Sequence, residues 1–172
     1  MSELHLLLGG SNSGKSRLAE KLALRLHRKT QGDLYYIATG LAYDQEMQDK
    51  IAEHKNERNQ KFQTIDSPDL RTNILKTSKP KDIILIDCIS MSVSNILTLD
   101  QFKNRLIDDI KSDLRKCKST LIIVGQETSL RILPINELSR KFLRVSGKLN
   151  QDIAHFANSV SLVVAGHSIA IK

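Results

Sequence analysis

Residues 9–16 read Gly-Gly-Ser-Asn-Ser-Gly-Lys-Ser, the Gly-x-x-x-x-Gly-Lys-Ser pattern of a phosphate-binding P-loop. No other stretch limits the fold as strongly, because the pattern works only between a buried strand and a helix. Both flanks comply. Residues 4–8 form a short apolar run, and residues 16–29 carry Leu18, Leu22 and Leu26 at helical spacing. The glycines let the backbone curl so that successive N–H groups face phosphate oxygens. The helix adds its positive N-terminal end. Lys15 supplies a point charge at the β- and γ-phosphates, and the Ser16 hydroxyl can ligate Mg²⁺.

The remaining chain alternates strand and helix patterns. Residues 34–37, 62–65, 83–86 and 120–124 read as strands. Residues 44–59, 68–76 (from Pro68) and 100–116 read as helices, the last with Phe102, Leu106, Ile110 and Leu114 in steps of four. A long helix follows Pro134, with Phe142, Val145, Leu149, Ile153 and Phe156 on one face. Residues 160–165 and 169–171 close the chain as a hairpin around Gly166. The expected fold is α/β, a three-layer P-loop NTPase with a mostly parallel central sheet and a C-terminal hairpin. At 172 residues, one domain (1–172) is expected. Asp87 closes the continuous apolar run 83–86, where a Walker B carboxylate would hold Mg²⁺; the competing reading is a turn or cap aspartate.

Composition narrows the partners. The net charge of +7 suits any polyanionic ligand. Aromatics are only 4% with no Trp, and the basic clusters at 25–29, 76–81 and 111–118 are short, so no nucleic-acid platform is expected. No apolar run reaches the roughly 18 residues of a membrane span, and no secretory signal is visible. A cytoplasmic enzyme with Cys88 and Cys117 as free thiols is expected. The guanine-reading Asn-Lys-x-Asp of switch GTPases is absent. A small-molecule kinase or a nucleotidyltransferase remains, with a non-catalytic nucleotide sensor as a rival from another class.

On a helix over 44–58, Met47, Ile51, His54 and Arg58 share a stripe, with Met47 and Ile51 facing inward. By itself His54 reads as a partly exposed helix histidine. Beside a phosphate, a neutral imidazole can attack phosphorus, with a cation one turn away steadying the charge.

Several pieces then occur in a characteristic order. They are the P-loop; Tyr36-Ile37-Ala38-Thr39; His54-Lys55-x-x-Arg58; Asp87-Cys88-Ile89-Ser90 with Asn95; Phe142-x-Arg144-x-x-Gly147-x-x-Asn150-Gln151; and Val163-x-Ala165-Gly166. With this order the whole chain resembles the bifunctional adenosylcobinamide kinase / adenosylcobinamide-phosphate guanylyltransferase family of cobalamin assembly. The resemblance implies a RecA-like sheet, a homotrimer, GTP and ATP as substrates, Mg²⁺ as cofactor and a corrinoid (adenosylcobinamide) as acceptor. It implies two reactions: phosphorylation of the corrinoid hydroxyl, and GMP transfer to that phosphate through a guanylylated histidine. His54 and Lys15 then take the catalytic positions. The implied nucleotide contacts are Gly9, Gly10, Ser11, Asn12, Ser13, Gly14, Lys15, Ser16, Ala38, Thr39, Gly40, Lys55, Asn56, Glu57, Arg58, Asp66 and Asp87, with Ser16 and Asp87 at the metal. The chain departs from the family pattern after residue 125. It reads Gln126-Glu127-Thr128-Ser129-Leu130-Arg131-Ile132-Leu133-Pro134, with Ser129 and Arg131 at positions that are usually glycine. Phe62 stands where Trp is usual.

Overall fold

A computed structural model gives the fold of residues 2–130 and 134–172, the side chains of Lys50, His54 and Glu57 excepted. The run around His5 forms β1 (Leu4–Gly9), and the P-loop leads into α1 (Lys15–Thr30). Then come β2 (Leu34–Ala38), α2 (Gln45–Glu57), β3 (Gln63–Asp66), α3 (Ile74–Thr77), β4 (Ile83–Asp87) and α4 (Ile89–Thr98). After a 3₁₀ turn at Asp100–Phe102 the chain forms α5 (Ile107–Lys116), β5 (Thr120–Gln126), α6 (Glu137–Phe156), β6 (Ser159–Val164) and β7 (His167–Ala170). The strands make one sheet in the order β3-β2-β4-β5-β1-β6-β7, parallel throughout except for β7.

The central strands are apolar on both faces because both are covered. Leu6, Ile84, Ile86, Leu121 and Ile123 point to a layer that includes Leu75 of α3, Val93 of α4, Ile110 and Leu114 of α5, and Leu149 and Ile153 of α6. The alternate residues Leu7, Ile83, Leu85, Ile122 and Val124 pack with Ala19 and Ala23 of α1. This is the expected three-layer α/β arrangement. The hairpin is also as expected: Ala165 and Gly166 turn with φ of 49° and 80°, the positive pair that matches strand twist, and Val164 faces His167. Among the described residues, no helix is long and apolar enough to cross a membrane.

Two helix expectations change, and one further helix is found. Residues 68–73 are irregular, with Leu70 at φ 61°, and only Ile74–Thr77 is helical. The stretch 100–116 breaks in two because Arg105 is drawn inward, its guanidinium reaching the Asp69 and Leu70 carbonyls and Asp113. Leu106 thereby becomes the N-cap of α5 and is 60% exposed. Conversely, α4 was not expected. Its run Ile-Ser-Met-Ser-Val-Ser is rich in β-branched and serine residues of modest helix propensity. Burial of Ile89, Ser90, Ser92, Val93 and Asn95 supplies what propensity does not.

Candidate active site

The carboxyl ends of five strands meet along one edge of the sheet. Ala38 lies beside Asp66 on one side and Asp87 on the other. Asp87 is level with Val124, and β5 runs on to Gln126, level with Gly9 at the start of the P-loop. Ligands of open α/β sheets bind at this edge.

The loop itself is held tightly. A Cβ on Gly9 would sit 2.6 Å from the Val163 carbonyl oxygen and 2.6 Å from Ser13 Oγ. Gly14 is the N-cap of α1 with φ +89°, and a Cβ there would lie 3.1 Å from Gly166 Cα. Gly10 needs no glycine for space, since nothing lies within 4 Å of its added Cβ. From behind, Gly166 N donates to Ser13 O at 2.9 Å, so the β6–β7 turn braces the loop. Lys15 Nζ donates to Gly10 O at 2.7 Å, which folds the ammonium over the cradle. Ser11 and Asn12 are exposed, and Asn12 takes φ 55°.

Asp87 is oriented by a residue to which the sequence reading gave no role. Tyr36 is buried in β2, and its hydroxyl donates to Asp87 Oδ2 at 2.6 Å. Burial first, then the charge of Asp87, push this phenol far above its ordinary pKa, so it remains a neutral donor. The Arg58 guanidinium lies 3.4 Å from the centre of the Tyr36 ring, and Phe62 meets the same ring edge-on at 5.7 Å. Arg58 is the C-cap of α2, so this stack fastens the end of that helix to the Asp87 partner. Arg58 Nη1 also donates to Thr64 Oγ1, while its Nε is buried with no hydrogen-bond partner among the described residues.

The loop after β2 is clasped to the same strand end. The buried Thr39 hydroxyl donates to Cys88 O at 2.7 Å and accepts from Cys88 N at 2.8 Å. Asn95 donates to the Thr39 and Pro68 carbonyls, both at 2.9 Å, and accepts from Tyr43 Oη. Cys88 has its thiol pushed up to about 11 by burial and by Asp87, with Lys15 pulling the other way. A polar-tipped aromatic in a buried strand needs a partner; that was the available signal for Tyr36, but it does not say which partner.

The remaining sequence candidates are spread around this centre. Lys55 and Asp66 face each other at 3.7 Å, both well exposed. Asn56 is exposed and Gly40 half-buried against Ile51. Met47 and Ile51 are half-buried, and among its described side chains α2 buries none fully. His54 and Glu57 belong to α2, but their side chains lie outside the described atoms, as do residues 131–133 entirely.

Comparison with known proteins supplies what geometry alone does not. The sequence profile described as "Cobinamide kinase / cobinamide phosphate guanyltransferase" matches residues 5–171. The chain belongs to this family. It is 35% identical over 172 residues to "Bifunctional adenosylcobalamin biosynthesis protein CobP" of Pseudomonas aeruginosa, covering 97% of this chain and 96% of that protein. It is 34% identical to "Bifunctional adenosylcobalamin biosynthesis protein CobU" of Salmonella typhimurium, covering 97% and 98%. Among solved structures, the "ATPase Domain of G40P" superposes with a TM-score of 0.50 at 16% identity, covering 93% of this chain and 68% of that one; this likeness concerns the fold.

The chain is a transferase of the cobinamide kinase / guanyltransferase family, and its residues 127–130 fold onto the Glu127 carboxylate. Ser129, at a usual glycine position, turns back on Glu127: its N–H donates to Glu127 Oε1 at 2.7 Å and its hydroxyl bonds the same oxygen. Leu130 N donates to Oε2 at 3.0 Å. Partial burial alone would raise the Glu127 pKa, but these bonds outweigh it and lower it. Thr128 is buried, with Oγ1 only 3.3 Å from where a Cβ on Gly147 would be. Arg131, the other replacement, lies outside the described residues.

Proposed function

We propose that this chain, working as one domain, carries out both reactions of its family at the edge formed by β1, β4 and β2. It would phosphorylate the hydroxyl of adenosylcobinamide from ATP or GTP, then transfer GMP from GTP to that phosphate. The observation that carries the reading is that Tyr36 joins Asp87 to Arg58, the C-cap of the helix that bears His54, at the same carboxyl edge of the sheet as the P-loop. The phosphates of the nucleotide would lie against the N–H groups of residues 10–16, with Lys15 released from Gly10 O to a phosphate oxygen. Ala38 to Gly40, Lys55 to Arg58 and Asp66 would line the rest of the nucleotide site.

The donors suit Mg²⁺. Ser16 Oγ and an Asp87 carboxylate are hard oxygens, and among the described residues no group of three or more His, Cys, Asp or Glu side chains could hold a metal by itself. Mg²⁺ is commonly bound by one or two carboxylates plus substrate phosphates. When bound it would neutralise phosphate charge. In the second reaction a neutral His54 ring nitrogen attacks the α-phosphorus of GTP; the bond to pyrophosphate breaks, and pyrophosphate leaves. A phosphate oxygen of the corrinoid then attacks the same phosphorus, the P–N bond breaks, and His54 is restored. Arg58 lies one turn beyond His54 and would place its positive charge beside the developing phosphate charge. A cytoplasmic homotrimer is the assembly the family resemblance points to, and sedimentation velocity tests the trimer.

The test is incubation with α-labelled GTP and Mg²⁺. An acid-labile, alkali-stable label on the protein, absent from His54→Ala, is expected. Label persisting in that variant would refute the histidine route. Transfer of γ-label to the corrinoid with no covalent label on the parent protein would leave a plain kinase.

A further inference from the structure

The described contacts put one side chain, Tyr36, between two parts of the site that the family motifs treat separately. Its hydroxyl occupies Asp87 Oδ2 at 2.6 Å. Its ring carries the Arg58 guanidinium at 3.4 Å and is backed by Phe62 at 5.7 Å with an interplanar angle of 87°. The strand register explains the reach. Tyr36 pairs with Leu85, two residues before Asp87 on the adjacent strand, so the phenol extends along the sheet to meet the carboxylate.

We propose that Tyr36 is a positioning residue for both halves of the site, its hydroxyl orienting the Asp87 carboxylate toward the metal and its ring holding the Arg58 end of α2. This rests on the reading of Asp87 as a Mg²⁺ ligand given above. The torsion that rotates an aspartate carboxylate has a broad, soft minimum, whereas Mg²⁺ demands near-ideal octahedral geometry. A short bond from a buried phenol removes that freedom and dedicates one oxygen, leaving the other free of this bond for the metal. Residues that orient a ligand in this way commonly change metal affinity by about 10–100-fold when removed. The ring makes a separate contribution. Arg58 caps the helix that carries His54 one turn earlier, so the stack sets where that turn lies relative to the cradle.

The two roles separate by substitution. Tyr36→Phe removes the hydroxyl and keeps the ring; Tyr36→Leu removes both; Asp87→Asn is the reference for the metal. GTP affinity is measured by calorimetry with Mg²⁺ and with EDTA, and the ratio of the two constants reports the metal contribution independently of the folded fraction. Covalent labelling from α-labelled GTP is measured at saturating Mg²⁺. Tyr36→Phe should lower the Mg²⁺-dependent ratio about tenfold, leave the EDTA affinity at the parent value, and label normally at saturating Mg²⁺. Tyr36→Leu should show the same lowered ratio and in addition lose labelling at saturating Mg²⁺ by about tenfold or more. A parent-like ratio in Tyr36→Phe, with a reduced ratio in Asp87→Asn, overturns the proposal. So does an equal loss of affinity with and without Mg²⁺ in Tyr36→Phe, the mark of a merely structural residue. A parent-like ratio in Asp87→Asn instead overturns the underlying metal reading.

Discussion

Gly9 and Gly10 are neighbours in the same motif, yet replacing each by alanine should have opposite consequences. At Gly9 the new Cβ would lie 2.6 Å from the carbonyl oxygen of Val163, and Cβ atoms essentially never come within 3.0 Å of a heavy atom outside their own and the adjacent residues. The backbone must therefore open by at least 0.4 Å, the difference between 3.0 and 2.6. It has little room to do so, because Gly9 pairs with Gln126 on one side and Val163 on the other, and its carbonyl accepts from Glu127 N. Forcing a methyl into such a packed position typically costs about 1–3 kcal/mol. At Gly10 an added Cβ meets nothing within 4 Å. Both substitutions remove similar freedom from the unfolded chain, a gain of about 0.4–1 kcal/mol, so that part cancels between the variants and their difference isolates the clash. For a chain of this length 1 kcal/mol moves Tm by about 2–4 °C. Gly9→Ala should thus melt about 2–12 °C below Gly10→Ala when both are followed by circular dichroism without nucleotide. The second contact at Gly9 involves the Ser13 hydroxyl, also at 2.6 Å, which a double variant Gly9→Ala/Ser13→Ala would relieve. The Val163 carbonyl is backbone, so the double variant should remain below Gly10→Ala. Equal melting temperatures for the two single variants would refute the steric reasoning.

Asn95 is fully buried and holds two backbone carbonyls and a tyrosine hydroxyl. Asn95→Ala orphans the Thr39 and Pro68 carbonyls and should cost roughly 2–5 kcal/mol in urea denaturation; a loss below about 1 kcal/mol would show that these groups find other partners. Glu127 has a folded-state pKa below its ordinary value near 4.5. A depressed carboxylate stabilises the fold above its unfolded pKa, and that stabilisation is lost as pH falls through the folded value. The parent should therefore lose more stability than Glu127→Gln between pH 5 and pH 3, read as urea midpoints; parallel pH profiles would contradict the assigned bonds from Ser129 and Leu130.

The strands and the loop were legible because their signals are local. An apolar run followed by a glycine-rich turn and a helical stripe leaves one arrangement for residues 4–29, and the alternation of patterns implies a parallel sheet. The stretches 68–76 and 100–116 depart from their helical patterns because distant partners decide them. Arg105 is drawn inward by carbonyls at 69 and 70, and no periodicity encodes that attraction. Helix α4 was missed for the converse reason, since packing onto the sheet supports a run with little propensity of its own. In the site, Lys15, Ser16, Asp87 and Arg58 were named from spacing and resemblance, but what each touches was not. Neither the stack of Arg58 on Tyr36 nor the Lys55–Asp66 pair follows from the order of residues.

The sequence by itself determined a phosphate cradle at residues 9–16, its strand–turn–helix setting and the chain's family pattern, since each depends on residue type at short spacing. Tertiary structure decided which glycine is sterically required, because the approach of the β6 backbone at Val163 and of the Ser13 hydroxyl distinguishes Gly9 from Gly10. It also decided that Tyr36 and not Tyr35 reaches Asp87. Adjacent strand residues point to opposite faces, and which face meets the carboxylate depends on the register of β2 against β4.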